Sequence, residues 1–274
     1  MRRSWFAIPG LILAATGVAC TNSPVSPSPS NVRRPLLLLS ERLETVHFLF
    51  FYSPGDRIEV DRLEAYHRWA TAYLSVTVPR RIEYYKYRQL EDAFCADTLT
   101  AAECLRIGAG GMSNTSLLRI YTSEPYHPHE CFHIYTRQIG SPPTFFNEGM
   151  ATAHIVDPFN NDFAPRAWSY PGSEPLADVA RRYYAAGRLV PVETLLTGNA
   201  WGQAPADLTY PEAGSFVRFL VDTYGLEPMK EVFRVIPYTD PPEVILTKFE
   251  GIYGMSLRAA EAEWHDVLAG VRPE

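Results

Sequence analysis

Cysteine, positive charge and long apolar runs are all scarce in this chain of 274 residues. Four cysteines are too few for a fold that depends on a dense set of disulfides. Lysine and arginine number 25 against 31 acidic residues, and the resulting net charge of −6 argues against a nucleic-acid partner. No apolar run reaches the ~20 residues that a membrane-spanning helix needs. These absences leave a globular domain with an ordinary apolar core.

The first 20 residues have the features of a secretory signal peptide. MRRSWFAIPGLILAATGVAC combines two arginines, a short apolar stretch and small residues before Cys20. The end of this segment is similar to the processing site of bacterial lipoproteins. We therefore expect export to the bacterial cell envelope and attachment to a membrane through a lipid on Cys20, with simple signal cleavage near Ala19 as the alternative. Residues 21–40, rich in Pro and Ser, are expected to form a solvated linker.

The remaining three cysteines are consistent with an exported protein. Cys95 and Cys104 flank a short loop that a disulfide could close in an oxidising compartment. Cys131 lies inside a histidine-rich stretch and is predicted to be a free thiol in the core. Metal ligation by Cys131 is a weaker alternative.

The first part of the domain is predicted to alternate strands with helices. The strand segments are rich in β-branched and aromatic residues, and the helical segments repeat apolar residues every three or four positions. The glycine-rich segment 107–115 is predicted to be a loop. A small twisted sheet with helices packed on it, in an α+β fold, follows from this order. The predicted strands are 45–52, 80–87 and 116–122, and the predicted helices are 58–75 and 89–95.

The second part is predicted to be entirely helical. Pro211 suits the first position of one helix, and Gly225 suits the end of the same helix. Residues 156–175 are rich in Pro and Asn and are expected to form a long loop that could cover a site as a lid. The predicted helices are 129–139, 145–155, 176–187, 211–224, 227–236, 241–252 and 256–269.

The stretch HECFH, residues 129–133, has the pattern H-E-x-x-H. Residues four apart on a helix point the same way, so His129 and His133 can bind one metal ion together. Zn²⁺ is the usual occupant of this pattern. Glu130 is placed to take a proton from a water activated by the metal. The other face of the helix carries apolar residues and is expected to pack in the core.

A third metal ligand is required, and two candidate patterns differ. One pattern needs glycine and then histidine downstream, but those positions are Thr136 and Ile139, so it fails. The other needs a glutamate on a following helix. Glu148, in FFNEGMATA, follows the turn formed by residues 140–143, and that turn can return a second helix antiparallel to the first. We therefore predict that Glu148 is the third ligand.

HECFH followed by PPTFFNEGMA resembles the gluzincin metallopeptidases, and in particular the bacterial peptidase MA-like domains. The resemblance extends more weakly to YPEAGSFVRFLVDTYG and to the last helix. It implies a zincin-like catalytic lobe at 41–155 and a helical lobe at 156–274 that completes the cleft. It also implies one Zn²⁺ per chain bound by His129, His133 and Glu148, with Glu130 as the general base. Some relatives place an aspartate that orients a histidine at position 152, where this chain has Thr152.

Four further features have two readings each. In gluzincins a tyrosine or histidine of the helical lobe stabilises the oxyanion, a role that Tyr210 could fill, although an aromatic core residue is an equal alternative. His127 is predicted to be a loop histidine rather than a metal or substrate contact. His154 is predicted to lie in the core. The strand Ser116–Tyr121 could pair with an extended peptide, or could be an ordinary strand of the sheet.

These observations predict an exported, lipid-anchored zinc metallopeptidase that hydrolyses peptides or proteins. The first alternative is a non-catalytic surface lipoprotein that retains a zincin fold and binds a peptide or another partner. The second is zinc-dependent hydrolysis of a non-peptide amide. Retention of both histidines, the base and Glu148 favours catalysis, since a binding module could lose any of them without consequence.

Overall fold

The structure, a computed structural model, describes residues 39–88 and 110–271. Among these residues it contains one five-stranded sheet and ten α-helices, with a helical C-terminal region. This arrangement confirms the predicted α+β class with a small twisted sheet. The strands are β1 (Glu41–Glu44), β2 (Phe48–Tyr52), β3 (Ile82–Lys86), β4 (Gly111–Asn114) and β5 (Arg119–Thr122).

The helices follow the apolar periodicity closely. Eight of the ten helices correspond to predicted segments, although their ends shift by a few residues. The helices are α1 (Val60–Leu74), α2 (Pro128–Thr136), α3 (Thr144–Thr152), α4 (Leu176–Ala185), α5 (Val192–Leu195), α6 (Gly198–Gln203), α7 (Ala206–Tyr224), α8 (Leu226–Val235), α9 (Pro242–Tyr253) and α10 (Leu257–Leu268).

The sheet has the strand order β1-β2-β3-β5-β4. Strands β2, β3 and β5 are parallel, whereas β1 and β4 are antiparallel to their neighbours at the two edges. Alternate residues of the parallel strands, such as Phe50, Tyr84 and Ile120, are fully buried on one face. Helix α1 buries Leu63 and Tyr66 in the same core, as expected for an amphipathic helix against a sheet.

The sheet differs from the prediction at both of its edges. Strand β1 is absent from the prediction because its four residues are all exposed and therefore carry no apolar alternation. Residues 107–115 are predicted to be a loop, yet Gly111–Asn114 form β4. Among the described strands, β5 is held between β3 and β4, and the outer edge of β4 pairs with none of them. Direct strand addition to Ser116–Tyr121 is therefore excluded.

Helix α7 begins earlier than predicted, and Pro211 lies inside it rather than at its start. A proline has no N–H, so it deprives the carbonyl four residues back of its usual partner. That carbonyl, on Asp207, accepts a hydrogen bond from the Tyr183 hydroxyl at 3.0 Å instead. This contact with another helix satisfies Asp207 and explains how α7 continues through Pro211. The predicted stop at Gly225 is confirmed, with φ at +88°.

One apolar core runs through both the sheet region and the helical region, from Phe48 to Leu268. Cys131 lies in this core as a free thiol, as predicted. The predicted helix at 89–95 and the pair Cys95 and Cys104 lie outside the described residues, as do residues 1–38 with Cys20. Within the described ranges, none of the helices is long and apolar enough to cross a membrane.

Candidate metal centre

Helix α2 positions His129, Glu130 and His133. Pro128 occupies its first turn, where a missing N–H does no harm, and Cys131 closes the first turn by donating to the His127 carbonyl at 3.2 Å. The face opposite the histidines is fully buried, with Phe132 stacked on the His154 ring at 4.4 Å. His154 is thus a core residue, as predicted. Burial lowers its pKa to about 3, so it stays neutral.

A close contact with helix α8 fixes the turn between α2 and α3. A Cβ on Gly140 would lie 1.8 Å from the Phe233 carbonyl oxygen, so only glycine fits at this point. Pro143 then caps the start of α3, which begins at Thr144. Helix α3 packs against α2 and returns Glu148 to the two histidines. The predicted role of the 140–143 turn in placing Glu148 agrees with this geometry.

The side chains of His129, His133 and Glu148, termed here the His–His–Glu cluster, converge on one point. The Nε2 atoms of the two histidines are 3.1 Å apart. The Oε2 atom of Glu148 lies 3.1 Å from Nε2 of His129 and 3.2 Å from Nε2 of His133. Both histidines are buried, and the Glu148 side chain is 17% exposed. This cluster could hold a metal ion.

Glu148 and the histidines of the cluster stabilise each other's charged forms. Burial lowers the pKa of His133, but the Glu148 carboxylate outweighs burial and raises this pKa to about 9. Burial likewise raises the pKa of Glu148, yet the two imidazoles hold it well below its usual range. Without a cation, the cluster therefore keeps a proton near neutral pH. A metal ion must displace that proton, so its affinity should fall as the pH falls.

The outer partner of His129 is a threonine hydroxyl. Thr152 Oγ1 lies 3.5 Å from Nδ1 of His129, at the limit for a hydrogen bond. Position 152 therefore faces His129, and its side chain is neutral. A hydroxyl at this distance orients the ring less strongly than a carboxylate would.

Glu130 lies beside the cluster, below the first residue of β4. A Cβ on Gly111 would be 3.0 Å from Cγ of Glu130 and 2.5 Å from Cε1 of His127. Glycine at position 111 thus lets the edge strand approach both side chains. The Glu130 carboxylate forms no hydrogen bond or ion pair with any residue in 39–88 or 110–271, so its oxygens remain available to accept a proton.

His127 is more deeply embedded than a loop histidine would be. It is only 5% exposed, and its Nδ1 lies 2.8 Å from Thr122 Oγ1. The Thr122 hydroxyl donates to the Gly110 carbonyl and accepts from the Glu124 N–H, so His127 Nδ1 must be the donor to Thr122. Burial lowers the pKa of His127 to about 3. His127 is therefore neutral and ties the start of α2 to the end of β5.

Tyr210 lies in the first part of α7 and faces the cluster. Its ring centroid is 5.8 Å from that of His129. Burial raises the pKa of Tyr210 far above its usual value, and Glu148 and Glu130 raise it further, so its hydroxyl keeps its proton. Within the described ranges this hydroxyl has no hydrogen-bond partner. Both the predicted oxyanion role and a plain packing role are consistent with this position.

Close packing between α3 and α7 fixes the position of α3 and therefore that of Glu148. A Cβ on Gly149 would lie 2.7 Å from the Ala213 carbonyl oxygen, and one on Gly214 would lie 2.6 Å from Cγ2 of Thr152. Glycine on each helix therefore lets the two backbones approach closely. The neighbours of Glu148 and His129 are fixed by this contact.

Replacing Gly149 with alanine should lower the free energy of unfolding by about 1–3 kcal/mol, because the new methyl group meets backbone on α7. Urea denaturation of the metal-free protein measures this change. Gly251→Ala is the matched control, since Gly251 lies in α9 with nothing within 4 Å of the added carbon. This control should be neutral or stabilising by up to about 1 kcal/mol. Equal stabilities for the two variants would contradict the close contact.

Comparisons of the chain with protein-family models, with curated proteins and with solved structures find no match. Function is therefore inferred from the residues of the site. Three features of the site are not predicted from the sequence. They are the Thr122–His127 hydrogen bond, the close approach of Gly111 to Glu130, and the two tryptophans beside Tyr210. The glycine pair Gly110 and Gly111 at the start of β4 is the local signal that could have indicated one of them.

Proposed function

We propose that the protein is an exported zinc metallopeptidase, tethered to a membrane through a lipid on Cys20. The observation that carries this proposal is the convergence of His129, His133 and Glu148 within 3.1–3.2 Å, beside an uncommitted Glu130. Export and lipidation rest on the features of residues 1–20 alone.

The donor set and its spacing favour zinc. Zinc binds histidine nitrogen at 2.0–2.1 Å and carboxylate oxygen at a similar distance, so tetrahedral ligand atoms are separated by about 3.3 Å. The separations of 3.1–3.2 Å in the cluster agree with this value. Two imidazoles and one carboxylate are also typical of catalytic zinc, which leaves one position open for water or substrate. We expect one Zn²⁺ per chain.

When bound, zinc would polarise the scissile carbonyl and make water a better nucleophile at neutral pH. Glu130 would take a proton from the attacking water and deliver it to the leaving amine. Its position on the first turn of α2, with no competing hydrogen bond in the described ranges, supports this role. The protonated hydroxyl of Tyr210 would donate to the developing oxyanion, and its placement near His129 supports that assignment.

A peptide substrate is supported by the free edge of the sheet. Strand β4 pairs only with β5 among the described strands, so its other edge can pair with an extended chain. The strand begins at Gly111, directly beside Glu130. A peptide that extended the sheet along β4 would therefore pass close to the general base and the cluster.

Hydrolysis of a peptide library tests this proposal. We expect purified protein to contain about one zinc ion per chain by elemental analysis and to cleave members of the library. A chelator should abolish cleavage, and added Zn²⁺ should restore it. Zinc binding without cleavage of any peptide would instead favour the non-catalytic binding module. Cleavage of non-peptide amides alone would favour the other alternative.

A further inference from the structure

We propose that Trp168, Trp201 and Tyr210, termed here the aromatic wall, form a subsite for an aromatic or large aliphatic side chain next to the scissile bond. This inference rests on the proposed peptidase function and names its preferred substrates. Trp168 lies in the loop before α4, Trp201 lies on α6 and Tyr210 lies on α7. The three rings come from different segments, and the two tryptophans contact Tyr210, which in turn contacts His129 of the His–His–Glu cluster.

One ring of the wall, that of Tyr210, contacts the predicted metal ligand His129. The Tyr210 ring is 5.8 Å from that of His129, 5.4 Å from that of Trp201 and 6.1 Å from that of Trp168. All three wall residues are half-buried, so each keeps some surface exposed. A side chain adjacent to the scissile bond would therefore find exposed aromatic surface close to the metal.

The wall is held in place before any substrate arrives. The backbone just before Trp168 is tied down, with the Arg166 N–H donating to the Ile155 carbonyl at 2.9 Å and the Ala167 N–H donating to the Glu174 carbonyl at 3.0 Å. The Trp168 N–H itself donates to Ser173 Oγ at 2.9 Å. These bonds argue against a freely hinged lid at 156–175. They favour a fixed recognition surface, which binds with less loss of entropy.

Trp201 is held in place by its helix cap and by a core contact. Helix α6 is capped by Thr197, whose hydroxyl accepts from the Ala200 N–H at 3.2 Å. The Trp201 ring also packs edge-on against Phe145 at 6.2 Å. Contacts with Phe145 and Tyr210 therefore hold this ring in place, while part of its surface stays exposed.

The chemistry of the wall selects an uncharged, apolar side chain. Within the described ranges, no guanidinium lies over the ring of Trp168 or Trp201, and the Tyr210 hydroxyl stays protonated. The nearby carboxylates of Glu130 and Glu148 serve proton transfer and metal binding in the proposed mechanism. Burial of an aromatic side chain against such rings is favourable because it removes apolar surface from water and forms ring–ring contacts. A cation could also bind an aromatic face, and the test distinguishes this case.

Peptide binding to the zinc-loaded Glu130→Gln protein tests the inference without hydrolysis. The probes are blocked alanine hexapeptides with a single Phe, Leu, Ser or Lys at each position in turn. Isothermal titration calorimetry should show Phe and Leu peptides binding at least about tenfold more tightly than Ser peptides at one position. Preference for Lys over Phe, or no preference at any position, would overturn the inference.

Variants of the wall should remove that preference. Trp201→Ala and Trp168→Ala, each in the Glu130→Gln background, should reduce the Phe-to-Ser ratio at least about fivefold, whereas Trp201→Phe should retain most of it. Tyr238→Ala, which removes an exposed aromatic ring from the α8–α9 connection, is the control and should leave the ratio unchanged. Unchanged ratios in both folded tryptophan variants would overturn the inference. Two variants are used so that a folding defect in one leaves the other to decide.

The failure of this inference can be told apart from the failure of the proposed function. If wild type cleaves peptides with no preference for apolar residues, the subsite is wrong and the peptidase stands. If wild type cleaves nothing but Glu130→Gln protein binds Phe peptides through Trp201, the subsite stands and the peptidase is wrong.

Discussion

Replacing Glu130 with glutamine should leave about one zinc ion per chain while lowering peptide hydrolysis by about 10²–10⁴-fold. Glutamine has nearly the same shape as glutamate but cannot accept a proton as a carboxylate does. Glu130 is not part of the His–His–Glu cluster, so metal binding should survive. The loss should appear in kcat more than in KM, because proton transfer occurs in the transition state and not on binding.

The measurement needs both a metal assay and a rate for the same preparations. Elemental analysis gives the zinc content, and cleavage of one fluorogenic peptide chosen from the library gives kcat and KM. Glu193→Gln is the control, since this carboxylate is partly exposed and pairs with exposed Arg258 at 3.4 Å. It should change neither quantity. Equal hydrolysis by wild type and Glu130→Gln would remove Glu130 from the mechanism.

The His–His–Glu cluster is largely predictable because its geometry is local. Two histidines four residues apart share one face of any helix, whatever that helix packs against. Gly140 and the prolines that follow it are residues that end helices, so the sequence alone predicts the end of α2. A second helix that returns and carries Glu148 is then expected. Strong apolar periodicity likewise makes the extents of helices such as α4 and α10 predictable.

Two errors arise where packing overrides local preference. Gly111 has low strand propensity, yet it begins β4, where the side chains of His127 and Glu130 occupy the space that a Cβ would need. Pro211 favours a helix start, yet α7 passes through it because the Tyr183 hydroxyl replaces the lost backbone donor. In both cases the compensating group lies on another element. A single sequence does not reveal which element that is.

The aromatic wall and the Thr122–His127 bond also depend on distant contacts. Trp168, Trp201 and Tyr210 lie in three segments without regular spacing, so no period in the sequence relates them. They come together because Trp168 and Trp201 each contact Tyr210 on α7. Contacts between such distant segments cannot be predicted from a single sequence.

Replacing Glu148 with alanine should weaken zinc binding by at least about a hundredfold, since loss of even an outer partner of a metal ligand costs 10–100-fold. The variant removes an oxygen that lies 3.1 and 3.2 Å from the two histidine nitrogens. Only His129 and His133 would remain, and two ligands hold zinc far less firmly than three. Competition with a fluorescent zinc chelator measures the affinity of each variant.

Two further variants calibrate this effect. Thr152→Ala removes the distant partner of His129 and should weaken zinc binding by about tenfold or less, given its 3.5 Å separation from Nδ1. Glu231→Ala removes an exposed carboxylate that pairs with Arg234 at 3.0 Å and should leave zinc affinity unchanged. We expect a graded series, in which Glu148→Ala loses far more zinc affinity than Thr152→Ala. Normal zinc affinity in Glu148→Ala would rule out the ligand set proposed here.

Thermal unfolding separates loss of the ligand from loss of the fold. A metal ion that binds only the native state stabilises it by RT ln(1 + [L]/Kd), so the Tm rises with the logarithm of the zinc concentration once that concentration exceeds Kd. Wild-type protein should therefore show a Tm increase on adding zinc after chelator treatment, and Glu148→Ala should show little. Gly149→Ala should begin from a lower Tm but still gain from zinc, because its ligands remain. This contrast would place the effect of Glu148 in metal binding and that of Gly149 in the packing of α3 against α7.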